Sequence, residues 1–176
     1  MYEWNLMAKN KSYYVLGFIF LMFSFYTVYK LIDFGGNYVY FLLVTLICVS
    51  TDIGGYTFGN IFKGPKLTKI SPKKTYAGMI GGYFLSIIFV NIFFNISYLF
   101  PITKEISIDI FIFILLISTI SQLGDMIISY FKRLSKIKDT GKIIPGHGGL
   151  LDRIDGMIFA FPFSYSILSL NIFKFL

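Results

Sequence analysis

Of the aspartates in or at the edges of strongly apolar runs, four stand out: Asp52, Asp125, Asp152 and Asp155. A carboxylate in such a setting is costly unless a cation meets it, and by default it marks a functional site. Asp152 and Asp155 are three residues apart, so a helix presents both on one face. Just before them comes Pro145-Gly146-His147-Gly148-Gly149, where glycines let backbone N–H groups approach an anion and a following helix start adds a positive dipole end. Carboxylates beside such a turn suit phosphates held through Mg²⁺, which takes one or two carboxylates plus phosphate oxygens. The single histidine, His147, has no Cys or His companion, which argues against zinc. It is read equally as a backbone-bonding group and as a contact to phosphate or carboxylate.

A second cluster surrounds Asp125. Ser118, Ser121, Gln122, Asp125, Ser129 and Lys132 fall within about 100° on one helix face. The serines are explained by hydrogen bonds between neighbouring helices, whereas Asp125 calls for a cation. Asp52 and Tyr56 are four apart on another helix, and Asp52 either pairs with a lysine of the following loop or meets substrate. That loop, residues 60–76, holds five lysines and no acid, including Ser71-Pro72-Lys73-Lys74-Thr75. Such a face attracts anionic headgroups and nucleotide phosphates.

The elements that position these residues are membrane helices. Of the 176 residues 56% are hydrophobic and only 14% charged, with a mean hydropathy of +0.71. A soluble domain carries nearer a quarter of its residues charged, so a water-facing globule is excluded. A bilayer core is crossed by about 20 apolar helical residues, and five segments qualify: 13–32, 38–59, 79–100, 109–131 and 154–174. Their uniform rather than alternating apolarity excludes a transmembrane barrel. The first segment is too long for a cleaved signal and lacks a small-residue cleavage site, so it is expected to be retained. Cys48 reads as apolar filler, and one cysteine permits no internal disulfide.

Thirteen of the sixteen Lys and Arg residues precede the first span or follow the second and fourth, and three lie on the other side. This alternation expects the N-terminus and both basic loops in the cytoplasm. The fold expected is therefore an all-α polytopic bundle of about five spans, one membrane-embedded domain over 1–176.

The segment Ser129–Asp155, SYFKRLSKIKDTGKIIPGHGGLLDRID, resembles the signature of the phosphatidate cytidylyltransferases (CDP-diacylglycerol synthases). Ser129, Lys132, Arg133, Lys138, Asp139, Gly141, Pro145, His147, Gly148, Gly149, Asp152, Arg153 and Asp155 fill its slots. Asp52, Tyr56 and Gly59, followed by ISPKKTYAGMIGG, are similar to a second family region, and Glu3-Trp4 with the first span to its middle region. One departure is Lys63-Gly64, where the family more often shows Gly-Lys. Another is length: family members usually carry further helices ahead of this region.

The resemblance implies transfer of the cytidylyl group of CTP to phosphatidate, giving CDP-diacylglycerol and pyrophosphate, at a bacterial inner (cytoplasmic) membrane. It implies Asp125 and Asp152 as ligands of Mg²⁺, with Asp155 a third or supporting group and a second cation allowed. Lys132, Arg133 and Lys138 would clamp phosphates, and Ser71, Lys73, Lys74 and Thr75 would form a second phosphate-binding edge. Asp52, Ser129, Asp139, His147, Gly148, Gly149 and Arg153 complete the expected substrate site. CTP, phosphatidate and the bilayer are the partners implied, with no nucleic acid and a homodimer left open. Rival readings are a CTP-dependent lipid kinase or related transferase, a cation channel or transporter, and an inactive paralogue with a scaffolding role.

Overall fold

A computed structural model describes residues 2–8, 11–34, 38–68, 71, 74–96, 107–141 and 148–173. Among the described residues seven helices follow one another: α1 (Tyr2–Ala8), α2 (Tyr14–Asp33), α3 (Val39–Phe62), α4 (Tyr76–Ile96), α5 (Ile108–Leu134), α6 (Leu151–Ile154) and α7 (Met157–Ser169). Lys66 and Thr75 form an isolated antiparallel bridge ahead of α4. Helices α2 to α5 are each long and apolar enough to cross a bilayer, which satisfies their backbone groups internally. The chain is an integral membrane protein with an all-α bundle.

The fifth expected span differs from the sequence reading. It is divided into α6 and the 13-residue α7, with the interruption at Asp155–Gly156. Both residues keep right-handed helical dihedrals, so the chain holds its course while its hydrogen-bond ladder breaks. Asp155 Oδ1 accepts the Gly156 N–H at 2.9 Å. Gly156 is pressed against α5, where an added Cβ would come 2.5 Å from Ser121 Oγ. Within α7, Pro162 removes a further ladder donor.

Helices α3 and α4 touch backbone to backbone. A Cβ on Gly54 would lie 2.3 Å from the Gly81 carbonyl oxygen, and one on Gly78 would lie 2.6 Å from that of Gly55. Small residues permit this approach, and close packing drives helix association in lipid. Thr75 starts α4, its hydroxyl accepting the Gly78 N–H at 3.1 Å as an N-cap. At the end of α3, Lys63 takes φ +51°, ψ −123° and donates its N–H to Gly59 O. A glycine adopts that conformation freely, and position 63 is where the Lys63-Gly64 order departs from the resembled pattern.

Two apolar clusters hold the bundle. One joins Leu43, Val44 and Ile47 of α3 to Phe113, Ile114 and Ile117 of α5 and to Phe161 and Leu168 of α7. The other lies at the opposite end of α2 and α7, where Trp4 and Met7 of α1 meet Leu21, Leu151 and Ile158. The Trp4 ring fills the space a side chain at Gly17 would need, and its Nε1 donates to Tyr14 O at 3.0 Å.

Candidate active site

The polar stripe of α5 serves two purposes along its length. Deep in the bundle Ser118 is fully buried and accepts the Thr51 hydroxyl of α3 at 2.8 Å; this serine joins helices. Gln122 Nε2 reaches Met79 O of α4 at 3.5 Å. One turn further on the stripe opens to charge. Asp125 Oδ2 lies 2.5 Å from Lys74 Nζ, and Asp125 Oδ1 accepts the Ser129 hydroxyl at 3.3 Å. Lys74 also donates to Gln122 O at 3.2 Å.

Lys132, at the end of α5, stands between the two aspartates around α6. Its Nζ is 3.0 Å from Asp152 Oδ1 and 3.9 Å from Asp155 Oδ2, with all three side chains only 11–12% exposed. Asp155 in turn lies close enough to Asp125 for their charges to act on each other, and Asp52 on α3 is within reach of both. Asp52, Asp125, Asp152 and Asp155 thus form one acidic group served by Lys74 and Lys132, drawn from α3, α5, α6 and the loop before α4. Of the two alternatives for Asp52, the loop lysine Lys74 bonds Asp125 and acts on Asp52 only through its field.

The four acids are not equivalent. Asp152 Oδ2 accepts the N–H groups of Thr140 and Gly149, both at 2.9 Å. Burial pushes its carboxyl up, but those two N–H groups together with Lys132 outweigh burial and hold it below the usual carboxylate range. The glycine run therefore does something the sequence reading did not foresee. Among the described residues, the anion its backbone approaches is the protein's own carboxylate. Gly148, at φ +84°, leaves no room for a Cβ beside Asp152 Oδ2. Gly149 is equally confined, between Thr140 Oγ1 and the carboxylate of Glu3.

Asp125 and Asp155 present a different chemistry. Two acids so placed repel one another, and each has a lysine at its side, Lys74 beside Asp125 and Lys132 beyond Asp155. Among the described residues no three Asp, Glu, His or Cys side chains converge to enclose a metal ion. What Asp125 and Asp155 offer is hard carboxylate oxygens from two elements. Oxygens of this kind are the donor type Mg²⁺ takes, one or two at a time.

A comparison with protein families now decides the lineage. The family model described as the cytidylyltransferase family matches residues 3–171. The chain belongs to that family. Phosphatidate cytidylyltransferase of Rickettsia typhi is 37% identical over 169 residues, covering 94% of this chain and 74% of that protein. The enzyme of the same name from Bacillus subtilis is 37% identical over 147 residues, covering 83% of this chain and 52% of the relative. That from Staphylococcus aureus (strain COL) is 41% identical over 131 residues, covering 70% and 46%. The chain spans about three quarters of the first and about half of the other two.

For a cytidylyltransferase the remaining expected site residues are distributed as follows. Arg133 is exposed in the last turn of α5, and Lys138 and Asp139 are exposed on the segment after it, with Asp139 beside Gly148. Arg153 is exposed on α6. Ser71 lies in the loop before α4, where its carbonyl accepts the Lys74 N–H, and the Thr75 hydroxyl is engaged in the α4 cap. Lys73 and His147 fall outside the described residues. Two residues that sequence reasoning did not place in the site are Glu3 and Thr140, both buried at the signature loop. The signal for Glu3 was its charge: an acid directly before Trp4, close to an apolar span.

Proposed function

We propose that this chain transfers the cytidylyl group of CTP to phosphatidate, releasing pyrophosphate and forming CDP-diacylglycerol for phospholipid synthesis. The observation that carries the reading is the convergence of Asp125, Asp152 and Asp155 with Lys74 and Lys132 at one end of α5 and α6. The names of the relatives support it. A phosphatidate oxygen attacks the α-phosphorus of CTP, the bond from that phosphorus to the α–β bridging oxygen breaks, and pyrophosphate leaves with the electron pair. Phosphate monoesters have a second pKa near 6, about one unit below neutral, so the nucleophile is already ionised and no general base is obligatory.

Each residue then has a role in bringing polyanions together. Asp125 and Asp155 would hold Mg²⁺, with Asp52 at its flank. When bound, that ion would neutralise charge developing on the leaving pyrophosphate. Asp152, placed beside Asp125 as a ligand by sequence reasoning, is engaged by two N–H groups and Lys132, so its part is to orient Lys132 and the signature turn. Lys132 faces the phosphates, and Arg133, Lys138 and Arg153 supply positive potential around them. Lys73 and Lys74, with Ser71, form the opposite edge. The reading places the basic loops, and CTP, on the cytoplasmic side of a bacterial inner membrane, with phosphatidate arriving from the bilayer.

Incubation of the purified chain in detergent with phosphatidate, Mg²⁺ and CTP labelled at the α- or γ-phosphate tests the reaction. Label from the α position should enter lipid, and label from the γ position should leave as pyrophosphate. Entry of γ-label into lipid with release of CDP would instead show a kinase, and no labelled lipid from a folded chain would show that this chain does not complete the reaction.

A further inference from the structure

Glu3 is an acid to which the proposed reaction gives no part, yet it is 5% exposed and among the described residues forms no salt bridge. Its oxygens accept the N–H of Leu150 at 2.7 Å, the N–H of Leu151 at 2.6 Å and the Thr140 hydroxyl at 3.0 Å. A buried carboxylate costs several kcal/mol unless hydrogen bonds replace its water, in the range of about 2–7 kcal/mol even for neutral polar groups. Here all three donors come from the two sides of the signature loop.

The described ends of that loop are gripped twice. Asp152 takes the N–H groups of Thr140 and Gly149, while Glu3 takes the next two amides and the Thr140 side chain. Gly149 lies between them, with no space for a Cβ beside Glu3 Oε2. Helix α1, which carries Glu3, is also fixed to α5. Ser135 Oγ donates to Met7 O at 2.6 Å, and the Trp4 ring meets that of Phe131 edge-on. One short helix therefore bridges the end of α5, which carries Lys132, and the start of α6, which carries Asp152.

We propose that Glu3 is a positioning residue for the reaction, setting where the Asp152–Asp155 segment stands relative to Lys132. This rests on the proposed cytidylyl transfer. It predicts that the N-terminal helix is part of the catalytic assembly although it supplies no group that touches substrate.

The test compares Glu3→Gln, Glu3→Asp and Thr140→Val in the full chain. Readouts are turnover, KM for CTP, thermal midpoint, and hydrogen exchange at the Leu150 and Leu151 amides. Glu3→Gln should lower kcat on the order of 10- to 100-fold, as small misplacements of reacting groups do, with KM changed by less than about twofold. Exchange at the two amides should quicken about tenfold as the local opening free energy falls. Glu3→Asp, which keeps the charge, should recover part of kcat. Thr140→Val, which removes one of the three hydrogen bonds, should give a smaller fall of the same kind, and serves if Glu3→Gln fails to fold. Unchanged kcat in either folded variant would overturn the proposal. If the native chain shows no turnover, the reaction has been misread, while unchanged amide exchange in Glu3→Gln would separately overturn the grip on the loop.

Discussion

Lys74 Nζ lies 2.5 Å from Asp125 Oδ2, so a loop cation occupies one side of the carboxylate that the proposed reaction reserves for a metal ion. The same carboxylate faces Asp155 and Asp52. Removing the ammonium leaves three acids with less positive charge nearby. Lys74→Met is therefore expected to bind Mn²⁺ about tenfold more tightly, the effect of roughly 1.4 kcal/mol from one nearby charge partly exposed to solvent. Titration of free Mn²⁺ by electron paramagnetic resonance measures it. An unchanged Mn²⁺ affinity would remove Asp125 from the cation site.

Asp125 and Asp152 should respond differently to the same change. Asp125→Asn should abolish Mg²⁺-dependent turnover while leaving the thermal midpoint close to native, because its side chain is 27% exposed and holds no backbone group in the bonds described. Asp152→Asn should lower both, since Lys132 and two amides lose an ionised acceptor at a cost of about 1–3 kcal/mol. Turnover and melting of the two variants in one detergent distinguish the roles.

The hydrogen bonds to Asp152 also set a pH dependence. Its folded-state carboxyl titrates below the ordinary range, so its contribution to stability is complete above about pH 4, the unfolded value, and declines as pH falls through the lower folded value. The difference in stability between native and Asp152→Asn should be constant from pH 7 to about pH 5 and shrink in stronger acid. Unfolding curves across that range give the slope. A difference that grows on acidification would reverse the assigned cause.

Lys63 should be improvable. A non-glycine residue at φ +51°, ψ −123° stores on the order of 1–3 kcal/mol of backbone strain. Lys63→Gly is expected to stabilise the chain by about 1 kcal/mol, net of the extra freedom glycine has when unfolded. A midpoint that falls in the detergent melt would mean that the lysine side chain makes a compensating contact.

The α3–α4 seam gives a paired test. Gly54→Ala forces a methyl to within 2.3 Å of a backbone oxygen, whereas Gly55→Ala meets its nearest atom at 3.8 Å. The first should cost about 1–3 kcal/mol by overpacking and the second much less. Equal melting of the two would show that the helices separate easily.

The comparison of sequence with structure divides by the range of the interaction. The first four spans were legible because each needs only a run of apolar residues, and the acid group because a carboxylate in such a run is exceptional. Spacing put Asp152 and Asp155 on one face, and both meet Lys132. The break at Asp155–Gly156 was not legible, since glycine and proline are tolerated in membrane helices and nothing local distinguishes this pair. Nor could sequence show what the glycine run embraces. Its partners are Asp152, close by, and Glu3, 147 positions from Leu150, and a bond of that span is written only in the packing of Trp4.

The contact between α3 and α4 bears on how a fatty substrate would travel. Where carbonyls and α-carbons of two helices meet with no side chain between them, no crevice remains wide enough for a hydrocarbon tail. That flank is a closed wall, so under the proposed reaction a diacyl lipid would have to reach Asp125 by a path other than the α3–α4 seam.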